Sequence, residues 1–308
     1  FLERNRQADR WFLQIECFDS HEPFDAPERF KRQYETGYNG GVLDWPHYEK
    51  VAESPQEIAE IRANYAALVA MCDDYFGRLL DYFDEHDLWR DTALILTTDH
   101  GFLLSEHDWW GKNRMPYYEE ISHIPLFVHH PSFTGAAGAR RSMLTQTIDL
   151  MPTMLDLFGV APPAEVRGHS LVPCLGGEPE LRDVAVFGMF GGPIGATDGR
   201  YAYYLFPEDL LAPGLYEYTL MPTHLRAPFT PEELRTAALA EPFDFTKGAP
   251  VLRYDALANA MRAPMHDFRG FDDVGTVLFD LADDPRQERP LRDEAIEARL
   301  QAGMLAVL

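Results

Sequence analysis

Thr92-Ala-Leu-Ile-Leu-Thr-Thr98, followed by Asp99-His100-Gly101, decides the fold of this chain. The first seven residues form a short apolar run, too brief for a helix, and read as a buried strand. Asp99, His100 and Gly101 then stand where that strand leaves its sheet. A carboxylate and an imidazole side by side at a strand end can converge on one cation, and a glycine after them lets the backbone turn without a Cβ clash. The same residues fit a plainer role, in which Asp99 caps the next turn and His100 is an ordinary polar side chain.

Upstream of this strand, Ser54-Pro55-Gln56-Glu57 has the form of a helix start. Ser54 is a cap, Pro55 takes the first helical position, and Glu57 completes a capping box. Ile58, Ile61, Tyr65, Leu68, Val69, Cys72, Phe76, Leu79, Leu80 and Phe83 recur at steps of three and four, which predicts one long amphipathic helix ending near 86–88. Further back, residues 11–18 are short, apolar and aromatic, and predict a buried strand running into the loop Asp19-Ser-His-Glu-Pro23. A central strand needs neighbours on both sides, and the first ten residues are too few to supply them. Residues 25–53, of mixed polarity, read as an irregular surface excursion.

Downstream, residues 125–130 predict another strand and residues 150–158 a helix, with Pro152 tolerated in its first turn and Gly159 at its C-cap. This alternation points to an α/β fold over residues 1–182, a mixed, mostly parallel sheet flanked by helices. In such sheets the chemistry collects in loops at the C-terminal ends of strands, where both Asp19 to His21 and Asp99 to His100 fall. The character changes near residue 183. Residues 183–187 and 201–206 flank the turn-rich Thr197-Asp-Gly-Arg200 and read as antiparallel. Residues 207–270 are Pro-rich and irregular, 276–281 form a last strand, and 294–308 are helical. A smaller α+β subdomain is expected over 183–308.

The chain has 308 residues, 46% hydrophobic and 25% charged, enough for a large core and two structural units. Its net charge of −23 argues against nucleic acid as a partner, because such binders carry a basic footprint. A small anionic substrate would need a local cationic pocket. No apolar run approaches the ~20 residues that span a bilayer, so no membrane partner is expected. An oligomer is compatible with everything above. Cys17, Cys72 and Cys174 are far apart and outside any C-x-x-C pair, which speaks against a disulfide scaffold or structural zinc and favours a reducing, cytoplasmic compartment. Cys17 and Cys72 read as small core residues.

Lys112 follows Glu106-His-Asp-Trp-Trp-Gly111. It is either a solvated surface charge or a pocket cation for an anionic oxygen. His107 reads as a solvated loop residue that could assist; Trp109 and Trp110 either wall a pocket or pack in the core. His21, at the end of the other buried strand, could donate a proton to a leaving group at neutral pH.

Together these segments resemble the sulfatase family of the alkaline phosphatase superfamily, which includes arylsulfatases and phosphonate monoester hydrolases. The resemblance rests on Phe12-Leu-Gln-Ile-Glu-Cys-Phe-Asp-Ser-His-Glu-Pro-Phe24, on Leu94-Ile-Leu-Thr-Thr-Asp-His-Gly-Phe-Leu-Leu-Ser-Glu-His107 and on Trp110-Gly-Lys-Asn113. Ile124-Pro-Leu-Phe-Val128, Thr145-Gln-Thr-Ile-Asp-Leu-Met-Pro-Thr153, Gly168-His-Ser-Leu171, Asp198-Gly-Arg-Tyr201 and Leu278-Phe-Asp-Leu-Ala-Asp-Asp-Pro285 extend it over most of the chain. It implies an alkaline phosphatase-like fold and a sulfuric ester hydrolase, with phosphonate or phosphate esters as the alternative. Asp99 and His100 would be metal ligands, Lys112 would contact the ester oxygens, and His21 would contact the same group or act as general acid.

The family's nucleophile is a formylglycine made from Cys or Ser in a C/S-x-P-x-R motif. No Cys or Ser of this sequence is followed by x-Pro-x-Arg, and the family's paired N-terminal aspartates have no counterpart before Phe12. The expectation is therefore the C-terminal portion of a sulfatase-like enzyme, inactive alone. The implied cofactor is one divalent metal, calcium or manganese. Calcium prefers oxygen ligands, and the imidazole of His100, where many sulfatases carry Asn, leans towards manganese and the phosphonate branch. A rival from another class is a non-catalytic binding protein that keeps the fold. A nucleophile motif upstream in the gene favours the enzyme, and a start codon just before Phe1 the rival.

Overall fold

The computed structural model describes residues 1–5, 7–112, 115–177, 180–208, 214–221, 223–224, 227–256 and 275–307. Asn113, Leu308 and parts of the 207–270 segment lie outside the described residues.

The best-determined element locally is helix α3 (Pro55–Glu85), which follows the short helices α1 (Leu2–Asn5) and α2 (Glu28–Lys31). Its capping box forms as the sequence predicts: the Ser54 hydroxyl accepts from the Glu57 backbone N–H, and the Glu57 carboxylate accepts from the Ser54 N–H at 2.8 Å. Two first-turn donors that a helix leaves without internal partners are thereby satisfied. The apolar stripe buries Ile61, Ala67, Leu68 and Phe83. Ile61 and Leu68 meet Phe24, Phe30 and Trp110 in one cluster, against which Tyr65 and Phe102 also pack.

Strand β1 (Leu94–Thr97) forms where the decisive segment predicts it, and pairs antiparallel with β4 (Leu126–His129), Leu96 opposite Phe127. It is not the buried strand expected: Leu94, Ile95 and Thr97 are half-buried, and Leu96 and Phe127 are exposed. Between them lie the two-residue strands β2 (Leu103–Leu104) and β3 (Trp110–Gly111), paired with each other, and helix α4 (Glu119–Ser122). Helices α5 (Leu150–Leu157) and α6 (Val172–Leu175) follow. Gly159, just past the end of α5, takes a φ of +67°, the left-handed conformation that ends helices.

The second half is built on a four-stranded sheet, ordered β11 (Val277–Asp280), β7 (Tyr201–Leu205), β6 (Ile194–Thr197), β5 (Ala185–Gly188). Helix α8 (Glu294–Val307) lays Leu300 and Met304 onto Ala196, Tyr203 and Leu278 of that sheet. A three-stranded sheet orders β8 (Tyr216–Thr219), β10 (Val251–Asp255) and β9 (Ala238–Ala240), with α7 (Pro231–Thr236) ahead of β9.

Several expectations need correction. Helix and sheet are mixed as predicted, but every strand pair among the described residues is antiparallel, so the expected parallel pairing is not found there. Residues 11–18 belong to no strand and pair with none among the described residues, and Phe12, Ile15 and Phe18 are exposed, as is Cys17. An apolar run signals a preference for burial; it cannot supply the neighbour whose backbone completes the ladder. The 25–53 segment is more than a surface excursion, because Ala26 and Phe30 enter the main cluster. Residues 183–187 and 201–206 do not pair directly: β6 stands between β5 and β7. The 207–270 segment contains three strands, which its prolines and glycines had disguised. Among the described residues no helix is long and apolar enough to cross a membrane.

Candidate active site

Each sequence-predicted site residue sits a few positions from an aromatic anchor of the same core. Phe24 follows His21 by three residues, Phe102 follows His100 by two, and Trp110 precedes Lys112 by two. Phe24 and Trp110 are fully buried, and Phe102 stacks edge-on against Phe24, ring centroids 5.5 Å apart. The core beneath thus gathers three loops remote in sequence.

At the end of β1, the Asp99 side chain is 83% exposed and that of His100 39%. Asp99 Oδ1 accepts from the His100 backbone N–H at 2.9 Å, while Oδ2 lies 3.6 Å from His100 Nε2. His100 Nδ1 sits 2.9 Å from the Gly101 carbonyl, which directs Nε2 towards the Asp99 carboxylate. Partial burial would raise the Asp99 pKa, but the neighbouring His100, backbone N–H groups and the Thr98 hydroxyl outweigh it and hold the carboxyl below its ordinary value. An ionised oxygen and an imidazole nitrogen, both open to solvent, can share a cation. They supply two donors: among the described residues no group of three or more His, Cys, Asp or Glu could hold a metal ion. Gly101 is fixed by close approach, since a Cβ there would lie 1.8 Å from the Glu120 carbonyl oxygen, and its N–H donates to the Ile121 carbonyl at 2.8 Å.

His21 is held differently. Its Nδ1 lies 2.9 Å from the Glu22 carbonyl and 3.3 Å from Glu22 Oε2. Glu22 is 2% exposed, and its other oxygen accepts from the Tyr48 hydroxyl. Burial and the adjacent Glu22 carboxylate push the Tyr48 pKa far up, so Tyr48 remains a donor. The Tyr48 ring lies close against Gly111, whose φ is +108° and where a Cβ would stand 2.8 Å from the ring. Lys112 Nζ is 5.9 Å from the centre of the same ring, within reach of a cation–π contact. Residues 48–51 run beside 108–111: Trp110 N–H donates to the Glu49 carbonyl at 3.0 Å and Val51 N–H to that of Asp108 at 3.1 Å.

The remaining candidates resolve towards structure. Trp109 and Trp110 are buried, and the Trp110 indole N–H donates to Glu53 at 2.7 Å. His107 is not solvated as expected. It stacks on Tyr118 at 3.5 Å and faces Glu120 at 3.4 Å, in a turn where Ser105, His107 and Asp108 all take positive φ. Sequence reasoning assigned nothing to Glu22 or Tyr48. A buried glutamate is visible only once its partner is, and Tyr48 lies in a segment without periodicity.

A family model described as Sulfatase matches residues 1–160, more than half of the 308-residue chain. The N-acetylglucosamine-6-O-sulfatase of Bacteroides thetaiotaomicron is 37% identical over 115 residues, 37% of this chain and 20% of that protein. Arylsulfatase K of Xenopus laevis is 37% identical over 131 residues, 42% of this chain and 24% of that protein. The matched region thus spans a quarter or less of these curated relatives. Among solved structures, the phosphonate monoester hydrolase of Agrobacterium radiobacter has the same fold, with a TM-score of 0.59 at 20% identity, covering 94% of this chain and 55% of the other. Motifs, fold and family model agree, and this chain belongs to the sulfatase family of the alkaline phosphatase superfamily.

Proposed function

We propose that this chain carries the metal-and-anion wall of a sulfuric ester hydrolase. In this reading residues 1–182 form part of the catalytic core and 183–308 a smaller subdomain. What supports it is that the Asp99 and His100 side chains lie open at the end of β1, and that Phe102, Trp110 and Phe24, close in sequence to His100, Lys112 and His21, pack in one aromatic cluster.

Asp99 Oδ2 and His100 Nε2 would hold one divalent cation, calcium or manganese, with further ligands from outside these residues. Such a cation, when bound, supplies Lewis-acid polarisation of an ester oxygen. Lys112 would contact the non-bridging oxygens of a small anionic ester and offset the charge they gain. His21, with Nδ1 turned to Glu22, would present Nε2 to the bridging oxygen and give it a proton as the bond to the leaving group breaks. The nucleophile, a formylglycine hydrate in this family, would come from residues outside these 308, since no C/S-x-P-x-R motif occurs among them.

Phosphonate or phosphate ester hydrolysis is the second reading, favoured by the imidazole in the donor pair and by the fold neighbour. The test is turnover of 4-nitrophenyl sulfate against 4-nitrophenyl phenylphosphonate by the full-length protein, with metal analysis. Sulfate turnover with one bound metal, cut about 10²- to 10³-fold in kcat by Lys112→Ala, is expected. Faster phosphonate turnover would select the second reading. Turnover of neither ester would favour a non-catalytic binding protein, and unchanged kinetics in Lys112→Ala would remove that residue from the site.

A further inference from the structure

Glu22 and Tyr48 have no part in the chemistry above, yet they join two of its side chains, His21 and Lys112. Glu22 is buried, and its Oε2 has no hydrogen-bond partner, although it lies 3.3 Å from His21 Nδ1. Burying a carboxylate is costly unless its oxygens are matched, so a glutamate at this place needs a reason. Its other oxygen supplies one, because it takes the Tyr48 hydroxyl proton in a hydrogen bond. Tyr48 in turn packs closely: its ring lies against Gly111 and edge-on to Phe102, ring centroids 5.7 Å apart. The strand-like run after it is hydrogen-bonded to residues 108–110. A chain of contacts therefore runs from the His21 imidazole through Glu22 and Tyr48 to the backbone that carries Lys112.

We infer that Glu22 and Tyr48 are positioning residues that set the His21 ring and Lys112 in fixed register across the ester site. The inference rests on the proposed roles of His21 and Lys112 and adds what holds them. Glu22 fixes the ring edge that carries Nδ1 and so aims Nε2. Tyr48 fixes Glu22 through its hydroxyl and the 111–112 backbone through its ring. Proton transfer to a leaving group depends on sub-ångström placement, and a looser ring loses it before binding is affected.

The test compares the full-length protein with its Tyr48→Phe, Glu22→Gln and His21→Ala variants on two sulfate esters, 4-nitrophenyl and phenyl. Phenoxide is the poorer leaving group and needs the proton more. Tyr48→Phe keeps the ring under Gly111 and removes only the hydroxyl, so the fold is retained. Expected is a drop of about tenfold in kcat for phenyl sulfate, at most about twofold for 4-nitrophenyl sulfate, and an unchanged KM. Glu22→Gln keeps an acceptor for Tyr48 and should fall between wild type and Tyr48→Phe, while His21→Ala shows the same leaving-group bias more strongly. Equal losses on both esters in Tyr48→Phe, with the bias present in His21→Ala, would overturn the positioning role alone. No bias in His21→Ala, or no turnover by the wild type, would overturn the reading of His21 as acid and the inference with it.

Discussion

Asp99 and Asp149 are two aspartates of one chain that meet opposite fates. Asp149 is fully buried and saturated. It accepts from the Gln146 and His169 backbone N–H groups at 2.8 and 2.9 Å, and from both terminal nitrogens of Arg182 at 2.7 and 2.5 Å. Asp99 stands in solvent at the end of β1 and, among the described residues, is bonded to its neighbours Thr98 and His100. Both carboxyls are held below their ordinary pKa: burial opposes this at each site, and Arg182 with backbone donors outweighs it at Asp149, His100 with backbone donors at Asp99. A lowered pKa therefore does not distinguish a structural acid from a proposed ligand. What distinguishes them is unused bonding capacity, because an acid whose oxygens are already filled has little left to offer a cation.

The sharpest way to break this contrast is to remove the partner of the buried acid. Arg182→Ala leaves a carboxylate in the interior without its counter-charge and should cost about 3–5 kcal/mol in denaturant unfolding. A loss below about 1 kcal/mol would mean that Asp149 rehydrates. The pH dependence gives the same contrast. Because the folded pKa of Asp149 is depressed, its contribution is complete above the ordinary Asp value of about 4 and drains away as pH falls through the folded pKa. Asp149→Asn should flatten that acid limb of the stability curve.

Asp99→Ala should do the reverse. Unfolding free energy should change by no more than about 0.5 kcal/mol, the range of a surface substitution. Turnover by the full-length protein and metal content should fall by about 10²-fold or more. Stability lost in step with activity would return Asp99 to the role of a turn cap. The smallest effect belongs to a third kind of polar group, satisfied but exposed. Ser54→Ala removes the α3 cap and should lower the melting temperature by roughly 2–4 °C without altering turnover.

These residues also mark how far the sequence could be read. The Ser54 cap, the α3 stripe and the Asp99–His100 pair at a strand end were legible because every partner lies within a few residues. Asp149 was quoted among the family motifs, but its burial was not readable, since Arg182 lies 33 residues away. Glu22 lay inside a recognised motif and Tyr48 in a segment without pattern, and their hydrogen bond spans 26 residues. Residues 11–18 looked like a core strand, yet Phe12, Ile15 and Phe18 are exposed in this chain.

By itself, then, the sequence determined the family, the long helix with its cap, the strand that ends at Asp99, and the residue types able to hold a cation and an anionic ester. Helix hydrogen bonds close within four residues, and a motif carries its chemistry in its own side chains. The tertiary structure alone decided which strands pair, which aspartate is saturated, and that Tyr48 ties the His21 loop to the Lys112 loop. Ladder bonds, buried ion pairs and ring-on-backbone contacts take their second partner from a distant segment, and no local pattern says which segment that will be.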